Sequence, residues 1–119
     1  MPRDSDPFFS CVLSGAQVRK TSTGTWTAFK APGGRCVDVG FGSVRLRAVS
    51  RFSHFLAGSY VVVPAECTIK VVTLGWGGLS FGAKQAVVVS GPRRELALTP
   101  LGDRHSLWEA LQRAGCRPI

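Results

Sequence analysis

The hydrophobic pattern of this chain changes period once, near residue 103, and that change does more than anything else to limit the folds open to it. From residue 8 to 100 the apolar residues fall in short runs stopped by Gly or Pro. Val37, Val39 and Phe41 alternate with Cys36, Asp38 and Gly40, and Val44, Leu46 and Ala48 alternate with Arg45 and Arg47. A period of two marks strands with one buried face. Past Asp103, Leu107, Trp108, Leu111 and Ala114 recur at three- and four-residue spacing, which predicts a helix over 104–114 with one apolar stripe. Asp103 is a good N-cap, Gly115 a stop, and Pro118 lies just beyond. A helix of about three turns is marginal alone, so its stripe needs a surface, and the preceding strands offer one.

The other segments fit the same scheme. Residues 1–7, with two prolines and alternating charge, read as a loose lead-in, leaving 8–119 as one domain. The run 8–13 ends at a Ser14-Gly15 turn, 17–20 extends a strand, and 25–30 is rich in strand formers. Residues 60–63 form a strand ended by Pro64, 64–67 fit one helical turn with Pro first, and 68–74 return as a strand. A glycine-rich connection at 75–82 leads to a strand at 85–89, a turn at 91–94 and a last strand at 95–99. Residues 51–58 read either as one helical turn or as an irregular loop. The expected fold is α+β and mostly β: about seven antiparallel strands in a curved sheet or partly open barrel, closed by one C-terminal helix.

That arrangement resembles the pleckstrin-homology-like fold, particularly its short bacterial versions. The resemblance is carried mainly by residues 60–115. The run from Tyr60 through Val63, Pro64 and Cys67 to Val72 is similar to that family's strand, Pro-led turn and strand. Glu95 to Pro100, followed by Asp103, Leu107, Ala110, Leu111 and Gly115, is similar to its last strand and closing helix. The resemblance implies a binding platform: a curved sheet corked at one end by the helix, with loops at the other end that meet lipids or protein segments. Inositide-binding members carry basic residues around the first β–β loop, where this chain has Arg19-Lys20 and then Lys30 after Trp26.

Charge supplies the first candidate surface. The chain carries 15 Lys and Arg against 7 Asp and Glu, a net charge of +8. Arg19, Lys20, Lys30, Arg35, Arg45, Arg47 and Arg51 fall within 17–51 against one acid, Asp38. Such a patch attracts polyanions with salt-sensitive affinity. Arg45 and Arg47, two apart on one strand, share a face. The plainer reading is a solvated outer face, favoured because no RNP, KH or helix-turn-helix signature accompanies the charge. The second candidate is the nearly uncharged segment around Trp76, Leu79 and Phe81. At an exposed loop tip these would give a partner or a membrane an apolar contact. The alternative is that they fold back over the barrel mouth or extend the flanking strands with Gly at bulges, and large apolar side chains usually find such cover.

Reaction chemistry has little support. His54 and His105 are the only histidines, and the carboxylates are scattered without an acid–base pair. There is no H-E-x-x-H, G-x-S-x-G or phosphate-loop motif. A Cys67–His54 pair is conceivable, though nothing singles it out. The cysteines at 11, 36, 67 and 116 form no C-x₂₋₄-C pair, which argues against zinc. They read as reduced thiols, some of them buried, in a chain whose first residues lack the order of a secretory signal. No apolar run approaches the roughly 20 residues of a membrane-spanning helix. The absence of Asn, with 11 Arg and 14 Val against 4 Lys and 2 Ile, suggests a GC-rich gene of bacterial or phage type. Trp108 reads as part of the cork, with a homodimer face as the alternative. The expectation is a cytoplasmic, non-catalytic binding or adaptor module without metal or cofactor. Its first-choice partner is a protein, met by β-edge addition or through 75–82. An anionic membrane surface comes second, and a basic barrel that binds nucleic acid is the runner-up.

Overall fold

A computed structural model describes residues 7–20, 24–31, 33–50, 58–76 and 79–119, without the side chains of 73–84. The strands are β1 (Pro7–Arg19), β2 (Thr27–Ala28), β3 (Arg35–Gly40), β4 (Val44–Ala48), β5 (Ser59–Val62), β6 (Thr68–Trp76), β7 (Leu79–Ser90), β8 (Glu95–Pro100) and β9 (Arg117–Pro118). A single 3-10 turn at Pro64–Glu66 joins β5 to β6, and the helix α1 spans Arg104–Ala114. All nine strands belong to one sheet of order β5-β4-β3-β1-β8-β7-β6-β9, with β2 paired to β1 off that path. The sheet is not closed into a barrel.

Among the described residues there are nine strands in place of the expected seven: β9 has two residues, too few to leave a period in the sequence, and of the strand-forming run 25–30 only Thr27–Ala28 pairs. A second correction concerns β1. The pair Ser14-Gly15 is a bulge inside one long strand and not a turn: Pro7–Leu13 pairs with β3, Leu13–Arg19 pairs with β8, and the register shifts between Leu13 and Gly15. The extra residue bends β1 and lets it serve both halves of the sheet. The Ser14 carbonyl accepts a hydrogen bond from Arg35 Nη1 at 2.9 Å. At 75–82 the backbone follows the alternative in which the flanking strands extend with an irregularity. There β6 runs on to Trp76 and β7 starts at Leu79, with Trp76 and Leu79 in register and an irregularity between Leu74 and Trp76. Glycine, which tolerates a bulge, lets the hairpin continue through this segment. Residues 1–6, and 51–57 of the ambiguous segment, lie outside the described residues.

The inner face follows the period-two pattern. Val37, Val39, Val44 and Leu46 are fully buried together with Ile69, Val87, Val89, Leu96 and Leu98. Helix α1 packs against β1, β3, β7, β8 and the 3-10 turn, burying Leu107, Ala110, Leu111 and Ala114. Trp108 is half-buried against that core, so the cork centres on Leu107 and Leu111. Each of these leucines contributes about 1.5–3 kcal/mol by leaving water. The Asp103 side chain accepts from the His105 backbone N–H at 3.0 Å, and Gly115 ends the helix at φ +121°. The chain then returns along β6, where the Arg117 N–H donates to the Cys67 carbonyl and the Ile119 N–H to that of Ile69.

Candidate functional site

The two ends of the bent sheet are finished differently. At the start of β1, Phe8 stacks on Phe41 with ring centroids 4.7 Å apart, and Arg113 of α1 lies over Phe8 at 5.1 Å. The end of β1 has no helix among the described residues. It meets β2, the first residues of β5 and the β7–β8 turn. There the buried Phe29 ring packs edge-on against Tyr60 at 5.7 Å, plugging the interior with aromatic surface. Arg94, from the turn, stands 4.6 Å above the Tyr60 ring, and Arg19 stands 4.3 Å above Trp26. Clefts of about 640 and 420 Å³ flank Tyr60, the first reaching Trp26 and Lys30 and the second reaching Lys20 and Arg94.

The expected polyanion patch separates into cations paired with carboxylates and cations without such a pair among the described residues. Arg47 Nε donates to Asp38 Oδ2 at 2.5 Å, and Ser10 Oγ donates to Asp38 Oδ1 at 2.7 Å. Burial pushes the Asp38 carboxyl up, but the Arg47 and Ser10 hydrogen bonds and the Arg47 and Arg45 charges outweigh it and hold the group below its usual range. The Asp38 hydrogen bond raises Arg47 in turn. Arg19 Nε donates to Glu95 Oε1 at 2.6 Å, with Ser90 Oγ on Oε2 at 2.5 Å. Glu95 is 6% exposed, and burial alone would raise it. The Ser90 and Arg19 hydrogen bonds and the charges of Arg19 and Lys70 instead lower it. Arg19 and Arg47 are therefore structural cations. Lys20, Lys30 and Arg45 are exposed. Lys20 and Lys30 stand at the uncorked mouth, whereas Arg45 lies on the outer face of β4, opposite Val61 of β5.

Arg93 and Arg94 escaped the sequence reading, which treated 91–94 only as a turn. The signal was two adjacent arginines after Gly-Pro. Neither has a carboxylate within ion-pair distance among the described residues. Trp76, Leu79 and Phe81 sit at the far end of the β6–β7 hairpin, their backbone in strand and their side chains outside the description. The full length of β7, roughly 35 Å for an extended strand of this size, separates them from the β7–β8 turn.

No constellation for catalysis is assembled among the described residues. His105 is exposed and 2.9 Å from Glu109 on its own helix, and His54 lies outside the description. No group of three or more His, Cys, Asp or Glu side chains is placed to hold a metal among the described residues. Burial pushes Cys11 and Cys67 up to about 11, and burial with the Cys67 charge pushes Cys116 up to about 12. Such thiols are poor nucleophiles at neutral pH. No helix among the described residues is long and apolar enough to cross a membrane. No protein-family model, curated protein or solved structure matches the chain.

Proposed function

We propose that the chain is a non-catalytic binding module of pleckstrin-homology-like architecture that takes an acidic segment of a partner protein at its uncorked mouth. Two meanders, β1-β3-β4-β5 and β6-β7-β8, are joined by the pairing of β1 with β8 and carry a closing helix, which supports the architectural part of the reading. The observation that carries the function is the gathering of Lys20, Lys30 and Arg94 around Trp26 and Tyr60, in two clefts that no carboxylate lines among the described residues. Aromatic and guanidinium groups together are the usual anchors of protein interfaces.

Protein is favoured over the other two partners on geometry. A nucleic acid needs a continuous basic track, but on the outer face Arg19 and Arg47 are already neutralised by Glu95 and Asp38. A membrane contact gains most where cations and inserting apolar side chains face one plane, and here the two candidate groups lie at opposite ends of β7. The test compares an acidic peptide, phosphatidylserine-containing vesicles and random single-stranded DNA across a salt series. The peptide should bind best at physiological salt and weaken about tenfold on combining Lys20→Glu with Arg94→Glu. Tighter binding to DNA or to vesicles, or indifference to the charge reversals, would overturn the reading.

A further inference from the structure

We infer that β5 is an acceptor edge: the partner's acidic segment adds to it as an extra strand along the open seam of the sheet. This rests on the proposed role as a protein-binding module and specifies how the partner is held. Strand β5 ends the sheet order and pairs only with β4 among the described residues. Val63 prolongs it in extended conformation, at φ −92° and ψ 116°, but its carbonyl already accepts from the Glu66 N–H at 3.0 Å, so the edge runs from Ser59 to the Val63 N–H. Edge strands are normally guarded by a Lys, a Pro or an inward charge. The run Ser59-Tyr60-Val61-Val62-Val63 has none of these, and three successive valines make it a strong strand former.

The other side of the seam is treated differently. The first residues of β6 are covered by β9, so the chain's own tail occupies that edge as an added strand. Facing β5 is a cleft of about 650 Å³ bounded by Val61, Val63, Glu66, Pro92, Arg93 and Arg94. Val61 and Val63 are 43% and 44% exposed, large values for side chains of this kind. The cleft thus offers backbone donors and acceptors from β5, apolar side chains at alternate positions, and guanidinium groups on the opposite wall. Those are the three elements of recognition by strand addition.

Charge selects the occupant. Arg93 and Arg94 stand on the turn wall and Arg45 lies directly across β4 from Val61, against the single carboxylate of Glu66. A second copy pairing β5 to β5 would bring two such sets together in chains of net charge +8. An extended segment in which β-branched residues alternate with Asp or Glu meets both the valines and the arginines.

The experiment titrates the full ¹⁵N-labelled chain with a short synthetic peptide in which Val and Thr alternate with Glu, and with its Gln-for-Glu and Lys-for-Glu counterparts. The Glu peptide should slow amide exchange at alternate residues of 59–63 and bind about tenfold more tightly than the Gln peptide. Arg93→Glu, at an exposed turn position, should abolish that preference without changing the unfolding midpoint. Binding of the Glu peptide with protection at Thr27 and Ala28, and none in 59–63, would overturn strand addition and leave the mouth reading standing. Failure of every peptide while vesicles or DNA bind would overturn both. Concentration-dependent protection of 59–63 without peptide would identify a second copy as the occupant and overturn the acidic-partner claim.

Discussion

Glu95 offers the most direct check on the division between structural and free cations. Its carboxylate is almost wholly buried, with one oxygen on Arg19 at 2.6 Å and the other on Ser90 at 2.5 Å. Replacing it by Ala leaves Arg19 without its counter-charge in a site where the Arg19 side chain is only 18% exposed. Removing one partner of a buried pair typically costs about 3–5 kcal/mol. Here the residual exposure and the Trp26 face beneath the guanidinium return part of that. We therefore expect a loss of about 2–3 kcal/mol in urea unfolding at neutral pH, or roughly 10 °C in Tm for a domain of this size. Combining Arg19→Met with Glu95→Leu should recover most of the loss, since neither charge is then stranded. The pH dependence has a fixed sign. A carboxylate whose folded pKa is depressed stabilises the protein above its unfolded pKa and loses that contribution as pH falls through the folded value. The Glu95→Ala protein should therefore show a shallower loss of stability on acidification below the ordinary carboxylate range. A midpoint within about 0.5 kcal/mol of the parent, or a double variant no better than the single, would refute the reasoning.

Three further outcomes are expected. Leu111→Ala, at a fully buried helix position, should cost about 2–5 kcal/mol, and Trp108→Ala should cost less because that ring is only half-buried; chemical denaturation of the two variants gives the order. Gly91→Ala places a methyl 3.3 Å from both the Arg94 carbonyl and Cys67 Sγ, so the variant should lose about 1–3 kcal/mol and show chemical-shift changes confined to the seam. The thiols of Cys67 and Cys116, held protonated by burial, should react with a disulfide reagent near neutral pH only on the timescale of unfolding, with the half-buried Cys11 reacting first; rapid labelling of Cys116 in the folded protein would contradict its placement.

Legibility in the sequence tracked how local the deciding interaction was. Helix α1 was readable to the residue because its cap, stripe and stop all lie within 103–115, and Gly115 is required by its positive φ. The alternation in β3 and β4 was equally local. Ser14-Gly15 misled because a turn and a bulge call for the same residues, and only the pairing of β1 with β3 on one side and β8 on the other decides between them. The cations show the same gradient. Arg47 and Asp38 are nine residues apart across one hairpin; the register sets Arg45 opposite Asp38, and Arg47, on the same face, reaches the carboxylate on the diagonal. Arg19 and Glu95 are 76 apart, and no local pattern joins them. Arg93 and Arg94 acquire meaning only when the β7–β8 turn meets Tyr60 of β5, a contact made by the folding of two meanders onto each other.

The contrast between the two ends of the sheet supports the proposal that a partner is met at one of them. At the corked end, Leu107 and Leu111 are fully withdrawn from water, and the apolar side chains that stay exposed nearby are Phe41, Leu101 and Val12. At the other end the interior is stopped by Phe29 and Tyr60, which bury one face of the plug and leave cations standing on what remains exposed. A guanidinium held over a ring keeps its full charge, whereas one held by a carboxylate has spent it. Arg94 is of the first kind and Arg47 of the second. An arriving carboxylate thus gains a strong charge-assisted contact at Arg94, while at Arg47 it would first have to displace Asp38. The same sheet therefore carries cations paired with carboxylates, such as Arg19 and Arg47, and cations without such a pair among the described residues, such as Arg94.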